Sequence, residues 1–270
     1  MIIRIESPSH PGTEVFFQHS DAMLRAKQHP EDAMFIAEGP KVVLSALDAG
    51  FAPVSVLMRE RHLESEEGRR ILSRCGDAPV YVGPDDVLAA LTGFRLERSW
   101  VQIAMRRPKE RTLASVCEKA HRIAVLENIT EPSNLGAVFR SAAALGLDGV
   151  LLTPSCCDVY HRRCVRVCMG TVFSLPWART EADSGISALG EMAFSRVCMA
   201  LRADSMALDD PFLASREKLA IYLGTEDTGL KDETIAGCDH TVCIPMAPGV
   251  DSLNVAAAAA IAFWQLRWRR

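Results

Sequence analysis

The sequence has no excess of positive charge. Thirty Lys and Arg stand against 34 Asp and Glu, for a formal net charge of −4. A domain that grips nucleic acid through bulk charge is basic, so any nucleic-acid site here is a local patch. Aromatic residues make up only 6% of the chain, and no RNA-binding aromatic cluster is evident. Phe94 and Trp100 alone lie near the basic run Arg95, Arg98, Arg106, Arg107 and Lys109. No apolar run is long enough to cross a bilayer, which takes about 20 residues; the longest, Val255 to Trp264, falls short. The opening MIIRIESPSH lacks the apolar stretch of a secretory signal. The nine cysteines are odd in number, scattered, and fit no small disulfide scaffold. Cys156, Cys157, His161, Cys164 and Cys168 crowd together, but no second CxxC pair completes a metal set. They read as reduced thiols, with no metal expected. These absences predict a cytoplasmic protein without a membrane partner.

What remains is a globular composition, 49% apolar and 24% charged, over 270 residues. Residues 1–30 are polar and poorly periodic. Strands are then expected at Met34 to Ala37, Val54 to Met58, Ala78 to Val82 and Trp100 to Met105. Helices separate them: one after Pro40 ended by Gly50, a charged one from Arg59 to Arg74, and one opened by Pro84. This is a smaller α/β domain over residues 1–107. The charged, Pro-containing RRPKER (Arg106 to Arg111) starts a linker and leading helix over 108–120. A second domain, 121–270, opens with strand Ile123 to Leu126, helix Leu135 to Ala144 and strand Gly149 to Leu152. That is a βαβ unit, which predicts a parallel sheet. The alternation continues with Val172 to Leu175, Gly185 to Met192, Arg196 to Ala200, Leu219 to Leu223 and Val242 to Ile244. An Ala-rich helix from Val255 to Trp268 closes the chain.

Ligands of parallel sheets sit at the carboxyl ends of the strands. Three polar loops leave such ends: Glu127 to Gly136, Gly224 to Leu230, and Pro245 to Asn254. None holds GxGxxG or GxxxxGK[ST], so neither a dinucleotide nor a P-loop site is supported. The third loop ends in Asp251, Ser252 and Asn254 before the Ala-rich helix. One helix start needs one cap; three candidates leave at least one without a structural duty.

These loops carry a family resemblance. NLGAVFRSAAALG (Asn134 to Gly146), LGTEDTGL (Leu223 to Leu230) and IPMAPGVDSLNVAAAAAIA (Ile244 to Ala262) resemble, in order and spacing, the three motifs of the SpoU/TrmH-type RNA ribose 2′-O-methyltransferases of the SPOUT class. The match covers residues 121–268. FIAEGPKVVLSALDAG (Phe35 to Gly50) and LTGF (Leu91 to Phe94) resemble the ribosomal-protein-like substrate-binding domain that many members carry. The resemblance implies an α/β fold whose C-terminal parallel sheet holds a trefoil knot, a feature general folding rules would not predict. It implies S-adenosyl-L-methionine as cofactor, bound by Gly224, Ile244, Met246 and Leu253. It also implies an RNA substrate, tRNA or rRNA, and no DNA.

Five catalytic positions carry over in the same way: Asn134, Arg140, Glu226, Ser252 and Asn254. Arg140 matches the arginine that binds RNA phosphate and helps activate the hydroxyl. Asn134 matches an orienting asparagine, and also suits the N-cap of helix 135–144. Glu226 matches an acid that holds the loops or Arg140, and Ser252 and Asn254 would position ribose and cofactor. The chain departs from the pattern at Asp251, Pro248 and Cys168, none of which removes a catalytic group. Arg162, Arg163 and Arg166 could contact phosphates. A last helix apolar on nearly every side needs more than one buried neighbour, and family members pair through helices next to the knot, so a homodimer is expected. The alternatives are methylation of a base nitrogen on the same fold, or a catalytically silent RNA-binding protein.

Overall fold

A computed structural model describes residues 1–7, 9–25, 29–92, 100–181, 185–225, 228–250 and 252–268. They form two compact units. The first comprises Met1–Lys109 together with Tyr160–Ser174; the second comprises Glu110–Val159 and Leu175–Arg270.

The first unit is built on a mixed sheet of β1 (Ile2–Arg4), β2 (Met34–Glu38), β3 (Pro53–Arg59), β4 (Val80–Gly83) and β5 (Val101–Arg106), in the order β1-β4-β3-β5-β2. β1 and β3 flank β4 in parallel, and β5 runs antiparallel to β3 and β2. The polar, poorly periodic stretch 1–30 supplies β1 and two short helices, Glu14–Phe17 and Asp21–Leu24. Their Phe16 and Leu24 are buried against Ile36, Leu57 and Leu88. Too few residues per element repeat for a period to be visible there, and tertiary burial makes the structure instead. The expected helix from Arg59 to Arg74 divides into a 3₁₀ turn, Glu60–His62, and the helix Glu66–Leu72, capped by Ser65, whose hydroxyl accepts the Gly68 N–H at 3.0 Å.

The second unit is a seven-stranded parallel sheet: β6 (Arg122–Leu126), β7 (Gly149–Leu152), β8 (Trp177–Arg179), β9 (Ser195–Met199), β10 (Met206–Ala207), β11 (Leu219–Leu223) and β12 (His240–Cys243). The order is β10-β12-β9-β11-β6-β7-β8, every pairing parallel. This bears out the parallel α/β sheet. β6, β7 and β11 are buried along their whole length, as unbroken apolar strands covered on both faces are. The helix Val255–Leu266 packs on the helix Pro132–Ala144 and buries Ala259, Ala262, Phe263 and Leu266. Full burial of each large side chain contributes about 1.5–3 kcal/mol. The leading helix, Leu113–Cys117, buries Val116 and Cys117 in this unit's core.

Two further expectations are corrected. Val172 to Leu175 does not continue the strand series: Thr171–Phe173 is a 3₁₀ turn, and the next strand is β8. Tyr160–Ser174, assigned by sequence to the second domain, packs with the first unit. Its Tyr160 and Phe173 rings lie 4.7 and 5.4 Å from Phe35, and Arg162 donates to the carbonyls of Phe16 (2.6 Å) and Val15 (3.1 Å). No helix among the described residues is long and apolar enough to cross a membrane.

Candidate functional site

Strand order decides where the loops meet. β12, β9 and β11 are neighbours, so their carboxyl ends open on one side. A cavity of about 400 Å³ lies there. One wall is Leu223, Gly224 and Thr225 after β11, closed by Gly229; another is Cys243, Ile244 and Met246 at and after β12. Ser252, Leu253 and the first turn of the helix Val255–Leu266 complete the rim. The positive end of that helix dipole therefore opens at the cavity. Met199, Ala200 and Leu201, after β9, form a further wall. Sequence reasoning found strand β9 but not this wall, because only strand order shows that β9 lies between β11 and β12.

The second loop is shaped by contact, not merely by flexibility. The Gly229 N–H bonds to the Thr225 carbonyl at 2.9 Å, and Gly229 takes φ +68°, where a side chain is strained. Gly224 then lies so close that a Cβ on it would stand 2.3 Å from the Gly229 carbonyl carbon. The first loop turns at Asn128, a non-glycine residue at φ +57° whose N–H donates to Thr153 Oγ1 at 3.1 Å. A buried carboxylate ties these two loops. Glu127, 1% exposed, accepts the Lys231 N–H at 2.7 Å on one oxygen and the Thr234 hydroxyl at 2.6 Å on the other. Sequence reasoning missed this clamp: an acid ending an apolar strand was the only signal.

The first and third loops meet through two asparagines. Asn254 caps the last helix, accepting the Ala256 N–H at 3.0 Å, and its amide N–H donates to Asn134 Oδ1 at 3.1 Å. Asn134 is not the cap of its own helix. That helix starts two residues earlier, at Pro132, and Glu131 is its cap, accepting the Ser133 N–H. With the cap supplied elsewhere, the Asn134 side chain is engaged across to the third loop. Of the suspected caps at the last helix, Asn254 fills that role. Ser252 is exposed on the cavity rim, and Asp251 lies outside the described residues.

Five of the expected site residues, Gly224, Ile244, Met246, Ser252 and Leu253, thus line one cavity, and Asn254 and Asn134 join beside it. Arg140 is not in the lining. It is exposed, six residues beyond Asn134 on the same helix, roughly 9 Å along the axis, and has no ion-pair partner among the described residues. Glu226 lies outside the described residues. The crowded cysteines are engaged with the backbone: Cys156 Sγ donates to the Leu126 carbonyl at 3.1 Å and Cys168 Sγ to that of Val165 at 3.2 Å. Burial pushes the Cys157 thiol up to about 12. Among the described residues no group of three or more His, Cys, Asp or Glu could hold a metal ion.

The SpoU rRNA methylase family model matches residues 121–264. An uncharacterised tRNA/rRNA methyltransferase of Mycobacterium bovis is 38% identical over 235 residues, covering 86% of this chain and 80% of that one. A 23S rRNA (uridine(2479)-2′-O)-methyltransferase of Streptomyces viridochromogenes is 28% identical over 260 residues, covering 94% and 90%. Among solved structures, an AdoMet-bound rRNA methyltransferase from Sinorhizobium meliloti superposes with a TM-score of 0.80 at 23% identity, over 98% of this chain and 97% of that one. The family match spans the parallel sheet, all three loops and the cavity between them, and this chain therefore belongs to the SpoU rRNA methylase family and is an RNA methyltransferase.

Proposed function

We propose that the protein transfers a methyl group from S-adenosyl-L-methionine to a ribose 2′-hydroxyl of structured RNA, tRNA or rRNA, in the cytoplasm. The observation that carries this is the convergence of Gly224, Ile244, Met246, Ser252 and Leu253 on one cavity, with the Asn134–Asn254 bond beside it. Further support is the 2′-O activity named for the Streptomyces relative and the AdoMet bound to the Sinorhizobium protein of the same fold. The cavity suits such a cofactor: it is largely apolar, of drug-sized volume, and its Gly224 wall has no room for a side chain.

The cofactor supplies a methyl on a sulfonium, already a strong electrophile, so the chemistry needs no metal. Gly224, Ile244, Met246 and Leu253 hold it. The remaining task is to hold a weak nucleophile in line and remove its proton. The Asn134–Asn254 pair orients the ribose, and Ser252 offers its hydroxyl from the rim. Arg140 cannot act as base, because a guanidinium stays charged; exposed on its helix, it binds the RNA phosphate and lowers the pKa of the hydroxyl. Glu226 steadies the loops. The chain between β12 and the last helix passes through a trefoil knot, as the family resemblance implies. The first unit is the ribosomal-protein-like domain that holds RNA. Ile261 and Trp264, 42% and 58% exposed on the last helix, form the homodimer face.

Mass spectrometry of RNA nucleosides from cells with and without the protein tests the reaction. A 2′-O-methylated nucleoside should vanish in its absence; loss of a base-methylated nucleoside instead would mean that a ring nitrogen is the acceptor. Arg140→Ala should lower the transfer rate about a hundredfold while S-adenosylmethionine affinity stays unchanged.

A further inference from the structure

Buried polar atoms in folded proteins are almost always hydrogen-bonded. Among the described residues five buried side-chain atoms are not, and four of them belong to one patch of the first unit: Glu38 Oε1, Gln102 Oε1, Arg59 Nε and His62 Nδ1. Strand register places them together. Glu38 of β2 and Leu57 of β3 both stand opposite Gln102 of β5. Opposed residues share a face of a sheet, as do residues two apart along a strand. Arg59 and Trp100 therefore lie on the same face as Glu38 and Gln102, at one end of the sheet. Gln102 is 2% and Arg59 4% exposed. Asp85 approaches Arg59 Nε at 3.4 Å without an aligned hydrogen bond. The His62 ring lies flat on the Trp100 indole, centroids 4.4 Å apart and planes 9° apart. Burial, then Arg61 and Arg59, lower its pKa, so the ring is neutral at neutral pH.

We infer that this patch is a base-binding site for an unpaired guanine of the RNA, which displaces His62 from the Trp100 stack and bonds to Glu38 and Gln102. The inference rests on the reading of the substrate as RNA. A guanine presents N1–H and an N2 amino group side by side, which match two neighbouring acceptor oxygens. Its O6, next along the same edge, suits the Arg59 guanidinium. Adenine and cytosine put a ring-nitrogen acceptor beside their amino group, which a carboxylate repels; uracil has one N–H between two acceptors. In the free protein the His62 ring covers the Trp100 face from the 3₁₀ turn Glu60–His62, and the guanine takes the place of that ring alone, because Ser65 holds the His62 carbonyl at 2.7 Å. Unstacked bases on aromatic side chains, read along their Watson–Crick edge, are the usual form of single-stranded RNA recognition.

The test uses the full chain and short oligouridylates carrying one central guanine, inosine or adenine, with affinity read by fluorescence anisotropy. Inosine lacks only the N2 amino group, so no protein variant is needed for this arm. The guanine oligomer should bind about tenfold more tightly than the other two, a preference of about 1.4 kcal/mol. Glu38→Gln should erase the preference, and His62→Ala should strengthen guanine binding, both with S-adenosylmethionine affinity unchanged. Equal binding of guanine and inosine oligomers overturns the site, as does a preference that survives in folded Glu38→Gln. Loss of 2′-O-methyl transfer as an activity, with the guanine preference intact, would instead remove the proposed reaction and leave this site standing.

Discussion

Arg122 and Arg59 are buried arginines on β-strands, one in each unit, and their surroundings are opposite. The Arg122 guanidinium donates to four carbonyls, those of Leu266 (2.7 Å), Glu217 (2.8 Å), Arg216 (2.8 Å) and His121 (2.9 Å), and lies 4.9 Å from the Trp268 ring. Arg59 has Asp85 nearby but an Nε without a hydrogen bond. The buried carboxylates differ likewise. Both oxygens of Glu127 are bonded, whereas Glu38 Oε1 has no hydrogen-bond partner. In the second unit, Arg122 and Glu127 are satisfied within the chain and hold the last helix and the cavity loops in one geometry, and Arg216 Nε is the one buried polar side-chain atom left unbonded among its described residues. In the first unit the patch of Glu38, Arg59, His62 and Gln102 keeps four such atoms unbonded. A fully bonded network rigidifies; a partly bonded one carries a cost that a ligand can remove.

The comparison breaks most sharply at the arginines. Arg122→Met leaves four carbonyls without a donor and should cost about 3–5 kcal/mol, read as a lower urea midpoint. Arg59→Met removes an incompletely bonded charge and should stay within about 1 kcal/mol of wild type. Similar losses for the two would erase the distinction. Glu127→Gln should cost about 1–3 kcal/mol and also weaken S-adenosylmethionine binding, measured by calorimetry, because it loosens the tether of the second loop. Stability loss with unchanged affinity would mean the clamp does not shape the cavity. Gly224→Ala should lower affinity about tenfold and also lower the urea midpoint, since the added carbon would stand 2.3–2.5 Å from the backbone of Gly229 and of Leu230, a core residue.

The smallest effect is at the surface of the second unit. Arg196 hydrogen-bonds Asp239 and holds its carboxyl below the ordinary value of 3.8. A depressed carboxyl contributes stability above its unfolded pKa and loses it as pH falls through the folded one. Arg196→Ala should therefore destabilise at neutral pH, and the difference should vanish under strong acid. Asp239 is 36% exposed, so solvent screening keeps the effect below about 1 kcal/mol. A difference that persists at pH 2 would assign it to lost packing.

Local chemistry made much of this chain legible in one dimension. Apolar runs mark β6, β7, β9 and β11. Glycine and proline mark the turns, and the three loops carry Gly224, Ile244, Met246, Ser252, Leu253 and Asn254 as candidates. Each of these signals lies within a few residues of what it predicts. The rest required the folded chain. Strand order puts β9 between β11 and β12 and so adds Met199 to Leu201 to the cavity. Glu131, not Asn134, caps the helix from Pro132, which leaves Asn134 to meet Asn254 from 120 residues away. Glu127 finds Lys231 across 104 residues, and Arg122 finds the end of the last helix across 144. Periodicity and capping rules describe neighbours along the chain. Buried polar groups choose partners by proximity after the sheet has formed, and no local pattern records that choice.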